Sequence, residues 1–270
     1  MKTLYISDLD GTLMDPTPRV TDRSRAILNG LADQGMIFSV ATARTAATVN
    51  VLMDGVRTGA PCVLMNGACI YDLRKRHYLR VESYPIARIL PILRDAGLAG
   101  FAFSVRDDAL RTCYERVDTE ASRVYMEDRV RGFGKIFTQV PDLAEMGEIC
   151  YYSVTDTPAR LGPACEALRA LPDLRVEYYL DVYHPENYYL EVASARASKA
   201  NAVHRIRRDG GFDKIVAFGD NYNDLPLFDA ADETCAVANA RAEVRERADH
   251  VIGASTEDGV ALWIRENWHA

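Results

Sequence analysis

Apolar and polar positions along this chain alternate between two periods, one of buried strands and one of one-faced helices. Residues 4–6 are a short apolar run of the kind that forms a buried strand. Residues 21–34 then place Ile27, Leu28 and Leu31 on one helical face, and Gly35 supplies a stop signal. An apolar strand is predicted over 36–41, a helix over 46–53 that ends before Gly55, and a third strand over 62–65. Strand, helix, strand, helix, strand predicts an α/β fold with a parallel, right-handed, doubly wound sheet.

The rhythm changes after Asn66 and Gly67. Residues 69–71 and 77–81 read as a hairpin around a charged turn. Strands are expected at 101–105, 110–114, 150–154 and 174–180, interleaved with helices at 86–95, 119–128 and 159–171. Such a mixture describes an α+β module inserted into the first domain. From Tyr188 the first rhythm returns, with strands at 189–192, 214–219 and 235–238 and helices at 199–208, 224–228 and 260–267. The predicted division is a core of residues 1–82 and 188–270 and an insertion of 83–187.

The 270 residues suffice for a full core and for a second module. Lys and Arg number 32 against 39 Asp and Glu, a net charge of −7, so the whole-molecule field repels polyanions and argues against a nucleic-acid partner. The basic stretches 74–76 and 205–208 are interrupted or flanked by acids and read as solvated faces. Six cysteines lack CxxC spacing and five histidines form no helical ligand pair, which leaves buried free thiols as the expectation. No apolar run approaches the roughly 18 residues of a membrane span, and no cleavable leader precedes the first strand, so a cytoplasmic location is expected. Oligomeric state is left open by the residues.

The chemistry concentrates at strand ends. Asp8 and Asp10 follow the first strand two positions apart, with Gly11 free to turn the chain and Thr12 beside it. Two acids so close repel, and either a divalent cation or a retained proton relieves them. The plain structural alternative is an acidic turn capped by Thr12. Gly219, Asp220, Asn221, Tyr222, Asn223 and Asp224 repeat the arrangement after another apolar strand, and there Asp224 could be only a helix cap. Thr42 and Arg44 emerge at a third strand end, where both can meet phosphate oxygens, or Arg44 can pair with a helix acid. Lys199 sits in the first turn of a helix capped by Ser198, a poor place for a cation unless it meets an anion.

In the order DLDGTL, TAR, SK and GDNYND, these motifs resemble the haloacid dehalogenase superfamily of phosphohydrolases. The insertion between the second and third motifs is similar to the large C2 cap of the Cof-type branch, subfamily IIB. The resemblance implies that Asp8 is a phosphoryl-accepting nucleophile and Asp10 the general acid and base. It implies Mg²⁺ held by Asp8, the Asp10 carbonyl and Asp220, with Asp224 in support, and phosphoryl oxygens held by Thr42 and Lys199. Asn223 and Asp224 would orient Lys199 and the metal shell, while Gly11, Thr12, Arg44 and Asn66 would line the substrate site. Three ionised acids and a phosphate dianion bring about −5 charge together, which a hard divalent cation and Lys199 would balance. An acid at position 10 suits alkyl esters, whose leaving oxygen needs a proton.

The implied function is a Mg²⁺-dependent phosphatase of small phosphorylated metabolites, sugar phosphates foremost. A phosphomutase of the same fold and a non-catalytic sugar-phosphate-binding regulator are the alternatives. Ala43 and Ala200 occupy places where the branch commonly has glycine. Tyr178, Tyr179, Tyr183, Tyr188 and Tyr189 could stack on a sugar ring or simply pack on the sheet, and the loop 183–187 could reach a ligand.

Overall fold

The first apolar run forms the strand Thr3–Ser7, whose Leu4 and Ile6 are completely buried. A computed structural model describes residues 1–14, 19–181, 184 and 186–269 of the chain. Two units separate, Met1–Arg80 with Ser198–Ala270, and Val81–Ala197.

In the first unit the sheet runs in the order His250–Ile252, Glu233–Val237, Lys214–Gly219, Thr3–Ser7, Ile37–Val40, with every pair parallel. The chain leaves Thr3–Ser7 toward one edge and leaves Lys214–Gly219 toward the other. Their carboxyl ends therefore flank a topological switch point, where the diverging connections open a crevice. Ser7 pairs with Phe218 in register, so Asp8 and Asp220 both emerge at that point.

The predicted helices at 21–34 and 46–53 are present as Asp22–Ala32 and Ala46–Leu52. Thr21 caps the former by accepting a hydrogen bond from the Ser24 N–H. The predicted third strand, Cys62–Leu64, meets the parallel sheet at a bridge from Ala41 to Val63 and pairs with Cys69–Asp72 in a separate three-stranded sheet.

The second unit is built on a six-stranded sheet ordered Leu174–Leu180, Tyr188–Ser194, Tyr151–Asp156, Phe101–Arg106, Ala109–Tyr114, Phe137–Gln139, antiparallel except at its last pair. Leu90–Asp95 and Pro158–Arg169 cover one face through Leu93, Leu161 and Leu168, which meet Val154, Leu190 and Val192 of the strands. The helix Glu120–Phe133 lies on the other face, with Tyr125 stacked on Phe101 at 5.3 Å. It runs past the expected end at residue 128 because Gly134 is the first left-handed stop. The helix expected over 86–95 divides into a 3₁₀ turn, Ile86–Arg88, and Leu90–Asp95, consistent with Pro91, which has no N–H for a continuous ladder.

One expectation needs correction. The strand read as restarting the parallel core at Tyr188 belongs to the inserted unit: Tyr188–Ser194 pairs antiparallel with a neighbour on each side. The second boundary thus falls between Ala197 and Ser198, not before Tyr188. An isolated apolar strand carries no mark of which sheet will take it. The short edge strands Phe137–Gln139 and His250–Ile252 and the helix Ala242–Arg247 lie in stretches without clear periodicity. All six cysteines are free and buried, and no described helix is long and apolar enough to cross a membrane.

Gly67 is a close backbone crossing within the first unit. Its φ is 96°, and a Cβ there would lie 2.2 Å from the carbonyl of Ser198, the residue that caps the Lys199 helix. Gly67→Ala is expected to destabilise the protein by about 2 kcal/mol and to displace Lys199. Urea unfolding checks the first effect, and phosphate-analogue affinity of the folded variant checks the second.

Candidate active site

Asp8 lies one residue beyond its strand, tied to the sheet by its N–H, which donates to the Phe218 carbonyl at 2.9 Å. Lys199 is directed at it from the first turn of Lys199–Gly210, where Ser198 caps the helix by accepting from the Asn201 N–H at 3.0 Å. The ammonium donates to Asp8 Oδ1 at 2.7 Å and to Asp224 Oδ1 at 2.6 Å. Lys199 is 1% exposed and Asp224 is 0% exposed, so this network lies below the reach of solvent screening. Burial opposes the Lys199 cation, yet Asp224 and Asp8 outweigh it and hold the ammonium above its ordinary value.

Asp224 has both oxygens engaged. Oδ2 accepts the N–H groups of Asp220 and Asn221 at 2.9 and 3.1 Å, closing a capping box at Tyr222–Asp224. It therefore shapes the loop that carries Asp220 and anchors Lys199. Gly219 makes this possible, since a Cβ there would come within 2.6 Å of the Asp224 side chain.

Asp220 Oδ1 accepts the Thr12 hydroxyl at 2.9 Å, so Thr12 joins two strand-end loops. Gly11, at φ 77°, leaves room for the other oxygen: a Cβ would lie 2.7 Å from Asp220 Oδ2. Asp8, Asp220 and Asp224 each present an oxygen within 4.8 Å of the others. Among the described residues, Asp8 Oδ2 and Asp220 Oδ2 have no hydrogen-bond donor. Two unfilled carboxylate oxygens beside a third acid make a hard, oxygen-only donor set that fits a divalent cation such as Mg²⁺.

The electrostatics express the same need. Burial pushes the Asp8 carboxyl well above the ordinary range, with Lys199 pulling it back and Asp224 and Asp220 adding to the rise. Asp220 is pushed up to about 6, by burial first and by Asp224 second, against the Thr12 hydrogen bond.

The remaining sequence candidates divide. Thr42 is buried, and its Oγ1 accepts from the Arg44 N–H at 3.2 Å, which leaves its hydroxyl hydrogen available for an anion. Arg44, considered as a phosphate ligand or the partner of a helix acid, instead grips Asp10, with Nε on Oδ2 and Nη2 on Oδ1, each at 2.6 Å. Asn223 donates to Asn66 Oδ1 at 3.4 Å, so it braces the loop after Cys62–Leu64. Asn66 itself has a left-handed backbone, φ 51°, and its N–H donates to the Thr42 carbonyl.

Sequence reasoning missed Asn239, whose amide donates to the Gly11 carbonyl at 2.7 Å. Its place just beyond the strand Glu233–Val237 was the available signal. Of the tyrosines, Tyr178 stacks on Tyr188 at 4.9 Å, packed against the apolar cluster, whereas Tyr179 stacks on Tyr189 at 5.4 Å with Tyr179 exposed. Tyr183 and part of the loop 183–187 fall outside the described residues.

Comparison with known proteins agrees with this geometry. The family model described as haloacid dehalogenase-like hydrolase matches residues 5–264. Pyridoxal phosphate phosphatase YbhA of Escherichia coli is 25% identical over 95% of this chain and 95% of its own. The 5-amino-6-(5-phospho-D-ribitylamino)uracil phosphatase YcsE of Bacillus subtilis is 24% identical, covering 97% of this chain and 94% of its own. Among solved structures, TM0651 of Thermotoga maritima superposes with a TM-score of 0.80 at 27% identity, over 100% of this chain and 98% of that one. A sugar phosphatase of subclass IIB shares the fold, with a TM-score of 0.75 at 20% identity and 98% coverage of both chains. The chain belongs to the haloacid dehalogenase-like hydrolases of the Cof type. It is a phosphatase acting on phosphorylated metabolites.

The raised Asp220 carboxyl has a sign that can be measured. From the ordinary value of 3.8 to about 6, the folded state holds a proton that the unfolded chain releases. The contribution of this group to stability therefore falls as pH rises through that window and stays unfavourable above it. In chelator, Asp220→Asn is expected to gain stability relative to wild type between pH 4 and pH 7. Added Mg²⁺ should close the gap at pH 7 by stabilising wild type alone. Urea unfolding at several pH values tests this, and a gap independent of pH would contradict it.

Proposed function

We propose that the protein is a Mg²⁺-dependent phosphomonoesterase that works through an aspartyl phosphate on Asp8, with small phosphorylated metabolites, sugar phosphates foremost, as substrates. The observation that carries this reading is the buried Lys199 ammonium between Asp8 and Asp224, beside Asp220 at the switch point of the sheet. A lysine has three N–H donors, and two are spent on carboxylates, which leaves the third for a phosphoryl oxygen. Thr42 would supply a hydroxyl donor to the same group.

The Asp8 carboxylate, at the strand end beside the Lys199 ammonium, is the nucleophile in this reading. As its bond to phosphorus forms, the bond from phosphorus to the ester oxygen breaks and Asp10 gives that oxygen a proton. Asp10 then takes a proton from water as the water oxygen bonds to phosphorus and the bond to Asp8 breaks. Inorganic phosphate leaves and both carboxyl groups return to their starting states. Mg²⁺, held by Asp8, the Asp10 carbonyl and Asp220 with Asp224 behind them, would neutralise phosphoryl charge.

The relatives' names support the substrate class, since pyridoxal phosphate and a phosphoribitylamino-uracil are both small phosphorylated metabolites. The inserted unit is the proposed selector of the ester. Small phosphate esters, without nucleic acid or membrane, are the proposed partners, and a cytoplasmic location belongs to the same reading.

Phosphate release from p-nitrophenyl phosphate and a panel of sugar phosphates tests the proposal. Wild type should turn over with Mg²⁺ and stop in EDTA, and Asp8→Asn should lower kcat by at least about 10³-fold. An isomerised ester formed without free phosphate would show a mutase, and binding without any turnover a regulator.

A further inference from the structure

Asp8 and Asp10 are held in opposite ways. Asp8 is buried against a buried lysine, whereas the Asp10 side chain is 49% exposed and its partner Arg44 is 29% exposed. A half-exposed aspartate is free to rotate unless something fixes the plane of its carboxyl. Here the guanidinium does so as a two-pronged fork, one N–H to each oxygen at 2.6 Å.

Both ends of the fork spring from pinned backbone. The Arg44 N–H donates to Thr42 Oγ1 at 3.2 Å, and the Arg44 carbonyl accepts the Met65 N–H at 3.1 Å. On the other side, the Gly11 N–H donates to the Met14 carbonyl at 3.1 Å, and the Gly11 carbonyl accepts from Asn239. With both main chains held, the side chains alone decide where the Asp10 carboxyl points. A carboxylate has about four acceptor positions, and the fork occupies two. The two that remain can meet a leaving oxygen and a water.

We propose that Arg44 is a positioning residue that acts through Asp10, holding the acid and base carboxyl in the orientation from which it exchanges protons with the ester oxygen and then with water, and that it is not a phosphoryl ligand. This rests on the phosphatase reading above. Arg44 gains and loses no proton in either step. Lysine cannot replace it, because a single ammonium has no planar fork with which to fix a carboxyl plane.

The test is a mutant cycle with Mg²⁺ present, measuring kcat and KM for wild type, Arg44→Ala, Arg44→Lys, Asp10→Asn and the Arg44→Ala, Asp10→Asn double variant. The substrates are glycerol phosphate, whose leaving oxygen needs a proton, and p-nitrophenyl phosphate, whose leaving oxygen needs it far less. Arg44→Ala should lower kcat on glycerol phosphate by roughly 10- to 100-fold with KM within about 3-fold, and should lower it less on the aryl ester. Arg44→Lys should recover only part of the loss. On the Asp10→Asn background, read with the aryl ester, Arg44→Ala should change kcat by less than about 2-fold.

A rise in KM of about 10-fold or more at unchanged kcat in both backgrounds would identify a phosphate ligand and overturn the inference. Equal losses of kcat with and without the Asp10 carboxyl would overturn it too. If wild type releases no phosphate from either ester, the phosphatase reading fails and takes this inference with it; an active wild type with either overturning pattern refutes the Arg44 role alone.

Discussion

The buried ammonium of Lys199 between Asp8 and Asp224 is the interaction on which the rest of the site depends. Removing three charges from water is costly, and the cost is met only while each has its opposite at hydrogen-bond distance. That condition fixes where three separate chain segments must come together. Thr3–Ser7 and Lys214–Gly219 lie side by side in register, and the Lys199 helix is brought close by the Gly67 crossing, where no side chain larger than hydrogen fits. Gly219 gives Asp224 the space to turn back on the Asp220 and Asn221 amides. Small residues here serve the close approach of charged ones.

Around this fixed centre the site separates rigid from adjustable parts. Asp8, Lys199 and Asp224 are buried and cross-linked, so the charge pattern there is fixed before anything binds. Asp10 and Arg44 stand paired at the solvent side, each partly exposed. Asp220 lies between, with one oxygen fixed by Thr12 and the other open beside Gly11. Unequal burial gives these carboxylates, on loops only a few residues long, different surroundings. The acids are alike in the covalent chain and become different through what each strand end packs against.

The core strands, the Lys199 helix and the four acids at strand ends were legible because each is a local pattern: an apolar run, a one-faced helix, a glycine followed by carboxylates. Local patterns lost their force where the outcome was a choice among distant partners. Tyr188–Ser194 reads as a strand in any context, but its place in the second sheet comes from pairing with Leu174–Leu180 and Tyr151–Asp156. Thr12 and Asn223 were read for substrate and phosphoryl chemistry, while their hydrogen-bond partners, Asp220 and Asn66, lie too far along the chain to be read. Asn239 was unread because its carbonyl partner lies 228 positions away.

By itself the sequence determined the kind of element at each stretch and the chemical groups at the strand ends, since backbone propensity and side-chain functionality are properties of neighbouring residues. Only the tertiary structure decided which carboxylate is buried, which is gripped by arginine and which oxygen stays open. Those outcomes depend on desolvation and on hydrogen bonds between residues far apart in the chain, such as Asp8 with Lys199, 191 positions on, and Asp10 with Arg44, 34 positions on.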